Sequence, residues 1–457
     1  MRILGIKAQF HDPAAARVVD GHTVAAAEEE RLSRREHGKR LAPFSAWELP
    51  GLSTRWCLVR AGVRAQELEA VAYSFGPTLA RPAHEMGLND LRYSLPLDYA
   101  RRAREFLAEA LPGLDLGRVA FVPHHVAHAA SAGLASPQPD GAALVLDGRG
   151  QASSHPAGRY RDGKLDTLAG QSLPDSLGLV REELTEHLGF LRSSDTVMAL
   201  ASHDKPRFFP QLPQYVHPTG GGFRSHGVNR APFAPPRTAG EECTQQHADL
   251  AAGTRAVHEE PLLELVHGLH REAGGEALTM AGGVALNCVA NSRTAERDPY
   301  RHAWAHPAAE DAGTALGGAL HMADIPRAMP DADPGRGWSD DDLAAWPDQA
   351  AIPDDKPDDI AGTVADELAS DGVVAWFQGR GAYGPRALGH LSQPAHPGRA
   401  GAHGILVPAP QTRPEDTASA SRVAPDSLTS VRAVPAGPSP WTAPATEAAY
   451  DNRGRPR

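Results

Sequence analysis

The chain has little cysteine, no excess of basic charge and no long apolar run, and each lack excludes a class of protein. Its three cysteines, Cys57, Cys243 and Cys288, lie far apart and form no Cys-x-x-Cys pair. Neither a disulfide framework nor a thiolate zinc site is therefore expected. The net charge of −11 offers no basic footprint, so no nucleic acid and no membrane surface is expected as a partner. No apolar stretch approaches the roughly 18–20 residues that cross a bilayer, so no transmembrane helix is expected. The start, Met1-Arg2-Ile3-Leu4-Gly5-Ile6, turns polar too soon for a signal peptide, which makes the cytoplasm the expected compartment. No internal repeat is visible.

What is present is a chain of 457 residues, long enough for two or three domains. Arg2 to Ile6, Ala14 to Val19 and Thr23 to Ala27 read as strands, the last two joined by the hairpin signal Asp20-Gly21. A helical pattern spans Phe44 to Ala61, a strand Glu69 to Phe75, and an amphipathic helix Leu97 to Leu111. Val119 to Val122 reads as a strand, His124 to Leu134 as a small-residue helix, and Ala142 to Leu146 as another strand. Strands alternating with helices predict an α/β layered fold. Pro206 to Gly240, rich in Pro, Gly and aromatics, reads as a long surface loop or lid. Helix returns over Gln245 to Glu272. Strand, glycine turn and helix follow at Leu278 to Met280, Gly282-Gly283 and Leu286 onward. Ala312 to Met322 reads as a helix, Ile360 to Ala369 as another, and Val373 to Phe377 as a strand. Residues 326–357 are acidic and Pro-rich, a linker composition. From Leu391 to Arg457 there are eleven prolines and few large apolar residues, so this tail is expected to be disordered.

The sharpest local signal is Pro123-His124-His125-Val126-Ala127-His128. On a helix, His124 and His128 share one face, the spacing at which two imidazoles bind one divalent metal. The plainer alternative is a helix N-terminus carrying polar histidines. Asp311, just before the helix at Ala312, is a candidate third ligand or an N-cap. Asp147-Gly148-Arg149-Gly150 follows an apolar strand. A carboxylate followed by glycines can hold a metal–phosphate group against backbone N–H donors, and an ordinary β-turn reads the same way. Gly282-Gly283 is a second such turn, leading to Asn287, where the backbone can approach a nucleotide. His11-Asp12 follows the first strand, and a histidine held by a carboxylate can act as general base on an alcohol. Arg386, in the glycine-rich stretch after Phe377, can clamp a phosphate.

Taken in order, these segments resemble the NodU/CmcH family of O-carbamoyltransferases. The matching stretches are Ile3-Leu4-Gly5-Ile6 with His11-Asp12, then Ala26 to Arg34 with His37, then His124 to Ser131. Leu146-Asp147-Gly148, Val197 to Ala201, Gly282 to Asn287 with Asn291, Asp311-Ala312-Gly313, and Gly384 to Gly389 follow. The resemblance implies an actin-like ATPase (TsaD-like) core of two subdomains over residues 1–325. The acidic linker 326–357 would lead to the start of a YrdC-like α/β domain at 358–390, with a non-matching tail at 391–457. It implies a metal, Fe(II) or another divalent ion, on His124, His128 and Asp311. It implies ATP with Mg2+ bound through Asp147, Gly148, Gly150, Gly282, Gly283, Asn287 and Arg386, and His11 with Asp12 beside the acceptor hydroxyl. The partners implied are carbamoyl phosphate and a hydroxylated small-molecule acceptor; a homodimer is compatible with it.

The chain departs from the family pattern in places. Ala382 stands where the family has Glu, His390-Leu391-Ser392 where it reads approximately His-Arg-Ser, and Ser193-Ser194-Asp195-Thr196 where a Lys near Gly-Glu-Gly is usual. Beyond Leu391 almost nothing matches, so the adenylate-forming YrdC-like domain is expected to be a remnant. Two alternatives follow: a relic that binds nucleotide and metal but cannot form the adenylate, and a TsaD-like tRNA-modifying protein, which the acidic charge disfavours.

Overall fold

A computed structural model describes residues 1–38, 48–86, 90–190, 197–198, 200–201, 205–225, 227–297, 299–370, 372, 374–386 and 390–392. Strands β1 (Arg2–Lys7), β2 (Ala14–Val19) and β3 (His22–Glu28) form an antiparallel meander. Asp20 and Gly21 turn β2 into β3 with φ of 48° and 82°, the left-handed pair that a two-residue hairpin needs to match strand twist. Strands β4 (Ala70–Tyr73) and β5 (Val119–Phe121) add in parallel beside β1, giving the order β3-β2-β1-β4-β5.

A second five-stranded sheet repeats that plan. Strand β6 (Gly141–Val145) pairs antiparallel with β7 (Ser153–Arg161), and β7 with β8 (Lys164–Ser172). A short hairpin of β9 (His217–Pro218) and β10 (Phe223–Arg224) intervenes in the chain. Strands β11 (Ala277–Ala281) and β12 (His302–Ala305) then add in parallel beside β6. The order β12-β11-β6-β7-β8 is the order of the first sheet, strand for strand. The duplication that is invisible as a sequence repeat is thus explicit in topology. It is the two-subdomain, actin-like α/β core that the resemblance implies.

Each sheet sends a helix to the other. The helix His124–Gly133 leaves β5 of the first sheet and packs on β6 and β11 of the second. The helix Gly313–His321 follows β12 and packs on β1, β2 and β4 of the first. The two helices also pack on each other, and small residues make this possible. A Cβ placed on Gly317 would lie 1.8 Å from the carbonyl oxygen of Ala127, so only glycine permits the approach. The surrounding core is alanine-rich, with Ala129, Ala130, Ala312, Ala315 and Ala319 all buried.

Some expectations change in detail. The region 97–111 is two helices, Asp90–Arg101 and Ala103–Ala110. The region 245–272 is also two, Gln245–Val257 and Glu259–Ala273. Residues 206–240 are no free surface loop: Leu212, Val216 and Phe223 are buried with Leu262 and Met280. The acidic stretch 326–357 contains a helix, Asp340–Ala350, capped by Ser339, whose hydroxyl accepts from the Asp342 amide. The helix Ile360–Ala369 forms over the expected residues. Tyr383 is fully buried in the core and donates its hydroxyl to the carbonyl of Ala312. Of the tail, Leu391–Ser392 form β14, paired with β13 (Trp376–Phe377). Positions 393–457, Ser193 to Thr196 and Ala387 to Gly389 lie outside the described residues. Among the described residues no helix is long and apolar enough to cross a membrane.

Candidate functional site

Four chain segments end at one point. Lys7 closes β1, His124 opens the helix after β5, Asp147 follows β6, and Asp311 precedes the helix after β12. These are carboxyl ends of strands, where open α/β sheets place their ligands. Two helix N-termini converge there, a setting that favours carboxylates.

His124 Nε2 lies 3.2 Å from Asp311 Oδ1 and 3.3 Å from Asp147 Oδ2. His128 Nε2 lies 3.4 Å from Asp311 Oδ1 and 3.9 Å from Asp147 Oδ2. Ligands at about 2.1 Å around one tetrahedral ion stand about 3.4 Å apart, so these spacings suit a single cation. All four side chains are buried. Neither ring nitrogen of His128, nor Nε2 of His124, has a hydrogen-bond partner. Buried polar atoms left unpaired are costly, and a cation would satisfy Nε2 of both rings. Two imidazoles with two carboxylates suit a divalent ion such as zinc, iron or manganese. The residues therefore fit the metal that the resemblance implies, with Asp147 as a fourth member. The resemblance alone places Asp147 with the nucleotide, and its contacts to His124 and His128 place it with the metal ligands as well.

The electrostatics agree. Burial would raise the carboxyl pKa of Asp311, but Lys7, then His124 and His11, hold it well below the usual range. Burial likewise opposes ionisation of Asp147, and the close approach of the His124 and His125 imidazoles overcomes it, holding the carboxyl well below its usual range. Burial would lower His124, but Asp311 and Asp147 push it up to about 9. His125 and His128 are pushed down, chiefly by burial. His125 was not among the candidate ligands; its Nε2 is 3.6 Å from Asp147 Oδ2 and its Nδ1 contacts Ser153 Oγ at 2.9 Å.

The His11-Asp12 pair sits at the rim. His11 Nδ1 is 2.6 Å from Asp12 Oδ2, and the His11 side chain is half exposed. A second imidazole serves the same carboxylate, His37 Nδ1 lying 2.8 Å from Asp12 Oδ1. Against burial, these two histidines hold Asp12 well below the usual carboxylate range. Glu30 accepts from the His37 amide at 3.0 Å. Burial, with Asp12 and Glu28 nearby, pushes Glu30 up to about 7. Phe10 and Asp12 have φ of 59° and 49°, left-handed conformations that cost about 1–3 kcal/mol each at non-glycine positions.

The glycine turns lie against the same cluster. Gly282 has φ of 91°, and a Cβ there would lie 2.1 Å from the Leu146 carbonyl, so the turn after β11 is pressed onto the strand end carrying Asp147. A Cβ on Gly148 would meet open space, and one on Gly283 only Asp147 Oδ1 at 4.0 Å. Gly150 has a packing reason, since a Cβ there would lie 2.8 Å from the His125 ring. Asn287 caps the helix Cys288–Arg297, accepting from the Ala290 amide at 3.2 Å. Arg386 reaches the same turn, donating to the Leu286 carbonyl at 2.7 Å. Gly384 is tied to the first subdomain by its amide, which donates to Glu28 Oε1 at 2.8 Å, and by Arg31, which donates to its carbonyl. The structure thus brings His124, His128, Asp311 and the Gly282-Gly283 turn to Asp147, places Asn287 and Arg386 on the segment that follows that turn, and leaves His11 and Asp12 at the rim.

The family model for the N-terminus of carbamoyltransferases matches residues 2–77 and 97–320. Among curated proteins, the uncharacterized protein sll1178 of Synechocystis is 33% identical over 85% of this chain and 70% of its own length. The nodulation protein NolNO of Sinorhizobium fredii is 32% identical over 85% of this chain and 58% of its own length. A tRNA N6-adenosine threonylcarbamoyltransferase of Bordetella avium is 29% identical over 60% of this chain and 72% of its own length. The chain therefore spans between about half and three quarters of these relatives.

Proposed function

The chain belongs to the carbamoyltransferase family, and from that premise we propose that it moves a carbamoyl group onto a hydroxyl of a small natural product. The donor in this reading is carbamoyl phosphate, converted with ATP to carbamoyl adenylate. The acceptor oxygen attacks the carbamoyl carbon, the bond from that carbon to the AMP oxygen breaks, and AMP leaves. The hydroxyl proton passes to His11 Nε2. Asp12 holds the opposite ring nitrogen at 2.6 Å, which fixes the tautomer and favours the imidazolium that forms.

His124, His128, Asp147 and Asp311 would hold a divalent cation. Bound there, it would supply positive charge against the leaving phosphate. The open faces of Gly148 and Gly283 leave room for phosphate oxygens beside backbone N–H donors. Arg386 supports the Gly282–Asn287 turn through the Leu286 carbonyl, and its remaining donors can meet a phosphate.

The observation that carries this reading is one convergence. A buried two-histidine, two-aspartate cluster is joined through Lys7 to the loop carrying a half-exposed histidine whose Nδ1 is anchored by Asp12. The net charge of −11 disfavours a tRNA acceptor. A second reading, the relic lacking adenylate formation, is favoured by Ala382, which stands two residues before Gly384-Pro385-Arg386 where the family has Glu.

Incubation with labelled carbamoyl phosphate, ATP and a panel of polyhydroxylated acceptors, with tRNA as a control, tests both. A carbamate ester that requires both donors supports the full reaction. Ester formed only from preformed carbamoyl adenylate supports the relic. No ester under either condition sinks the transferase reading.

A further inference from the structure

Lys7 is fully buried at the end of β1. Its Nζ lies 2.6 Å from Asp311 Oδ2 and 3.0 Å from the carbonyl oxygen of His11, and it also donates to the carbonyl of Gln9. Three acceptors use all three protons of an ammonium group. The two carbonyls flank Phe10, whose φ of 59° is left-handed. A bulky residue holds that conformation only when its surroundings fix it, and one ammonium bracketing both sides does so. Phe10 is itself buried against Phe75 and Tyr93. On its other side Lys7 takes Oδ2 of Asp311. That leaves Oδ1, the oxygen 3.2 Å from His124 Nε2 and 3.4 Å from His128 Nε2, as the one facing the cluster.

We infer that Lys7 is a positioning residue that clamps the His11-Asp12 loop onto Asp311. The inference rests on the proposed roles of those residues and deepens them. The clamp does two things at once. It sets Asp311 as a one-oxygen ligand, and it keeps the rim histidine at a fixed separation from the cluster. Lysine suits the task better than arginine, because a compact point charge can serve three acceptors that do not share a plane. A merely stabilising ion pair would need only the contact to Asp311. The two carbonyl contacts bracketing a strained residue are what mark Lys7 as a clamp.

The test uses the full chain with Lys7→Met, which keeps the stem and removes the donors. Three quantities are read: hydrogen exchange over residues 8–12 against 141–145, Mn2+ affinity by calorimetry, and transfer kinetics. The clamp predicts exchange about tenfold faster in 8–12 with 141–145 unchanged. Mn2+ binding is retained or tighter, because Asp311 loses a competing cation. Transfer kcat falls by up to about 10²-fold with the nucleotide KM unchanged, as expected for misplacement by about 1 Å. Unchanged exchange in 8–12, or loss of Mn2+ binding with that exchange unchanged, overturns the clamp. Should Lys7→Met fail to fold, Lys7→Arg takes its place. Faster exchange confined to 8–12 then supports the clamp, and a uniform profile overturns it. If the wild-type chain neither binds Mn2+ nor transfers a carbamoyl group, the functional reading fails, and the exchange comparison still decides the clamp.

Discussion

Replacing His128 with leucine separates a metal ligand from a structural histidine. The side chain is fully buried, and neither ring nitrogen has a hydrogen-bond partner. An unpaired buried polar group costs about 1–3 kcal/mol. An apolar side chain of similar volume costs under about 1.5 kcal/mol in misfit. The metal-free His128→Leu protein should therefore lie within roughly 1 kcal/mol of wild type, with either sign. With metal the two diverge. At 100 times Kd a ligand stabilises the fold by about 2.7 kcal/mol, a few degrees in Tm. Loss of one of four ligands should exceed the 10–100-fold penalty known for outer-sphere partners. At the same Mn2+ concentration the variant then gains at most about 0.4 kcal/mol. Thermal melts with EDTA and with Mn2+ read both numbers. A metal-free loss above about 3 kcal/mol would show that the ring does structural work, and an undiminished Mn2+ shift would remove His128 from the site.

Other consequences follow from the same geometry. Glu30 has its pKa raised to about 7 from 4.5. Its contribution to stability is complete below pH 4.5 and is lost as pH rises through 7. Glu30→Gln should abolish about 2 kcal/mol of that decline between pH 5 and 8 in urea titrations; equal slopes would refute the shift. His258 is buried and pushed down to about 3, so its contribution is present above pH 6.5 and lost as pH falls. His258→Leu should reduce the pH 7 to pH 5 loss of stability by about 2 kcal/mol, and an unchanged acid limb would contradict that. Gly282→Ala, with its Cβ directed into the Leu146 carbonyl, should weaken ATP binding measured by calorimetry at least tenfold. Unaltered affinity would place the nucleotide elsewhere.

Much of this was legible in the chain because the signals were local. Asp20-Gly21 fixed its hairpin, and the four-residue spacing of His124 and His128 needed only a helix. Strand β8 is hard to read from the chain because it is largely exposed and polar, Lys164 to Ser172, and β7, Ser153 to Arg161, is mostly buried, both without the period-two alternation that marks a half-buried strand. Asp147 read as a turn carboxylate, because its nearness to His124 and His128 depends on how β6 sits beside the helix from the other subdomain. Lys7 carried no signal at all: a lysine ending a strand normally faces water, and its buried partner Asp311 is 304 residues away. His37 and Asp12, 25 residues apart, meet only because β2 and β3 double back. Nothing local encodes such pairings.

The most direct test is anomalous diffraction from crystals of the full chain soaked in Mn2+. A single cation held by the cluster would give one strong peak roughly 2.0–2.3 Å from His124 Nε2, His128 Nε2, Asp311 Oδ1 and Asp147 Oδ2. A crystal with no peak there, or with manganese bound elsewhere while both imidazoles remain free, would contradict it.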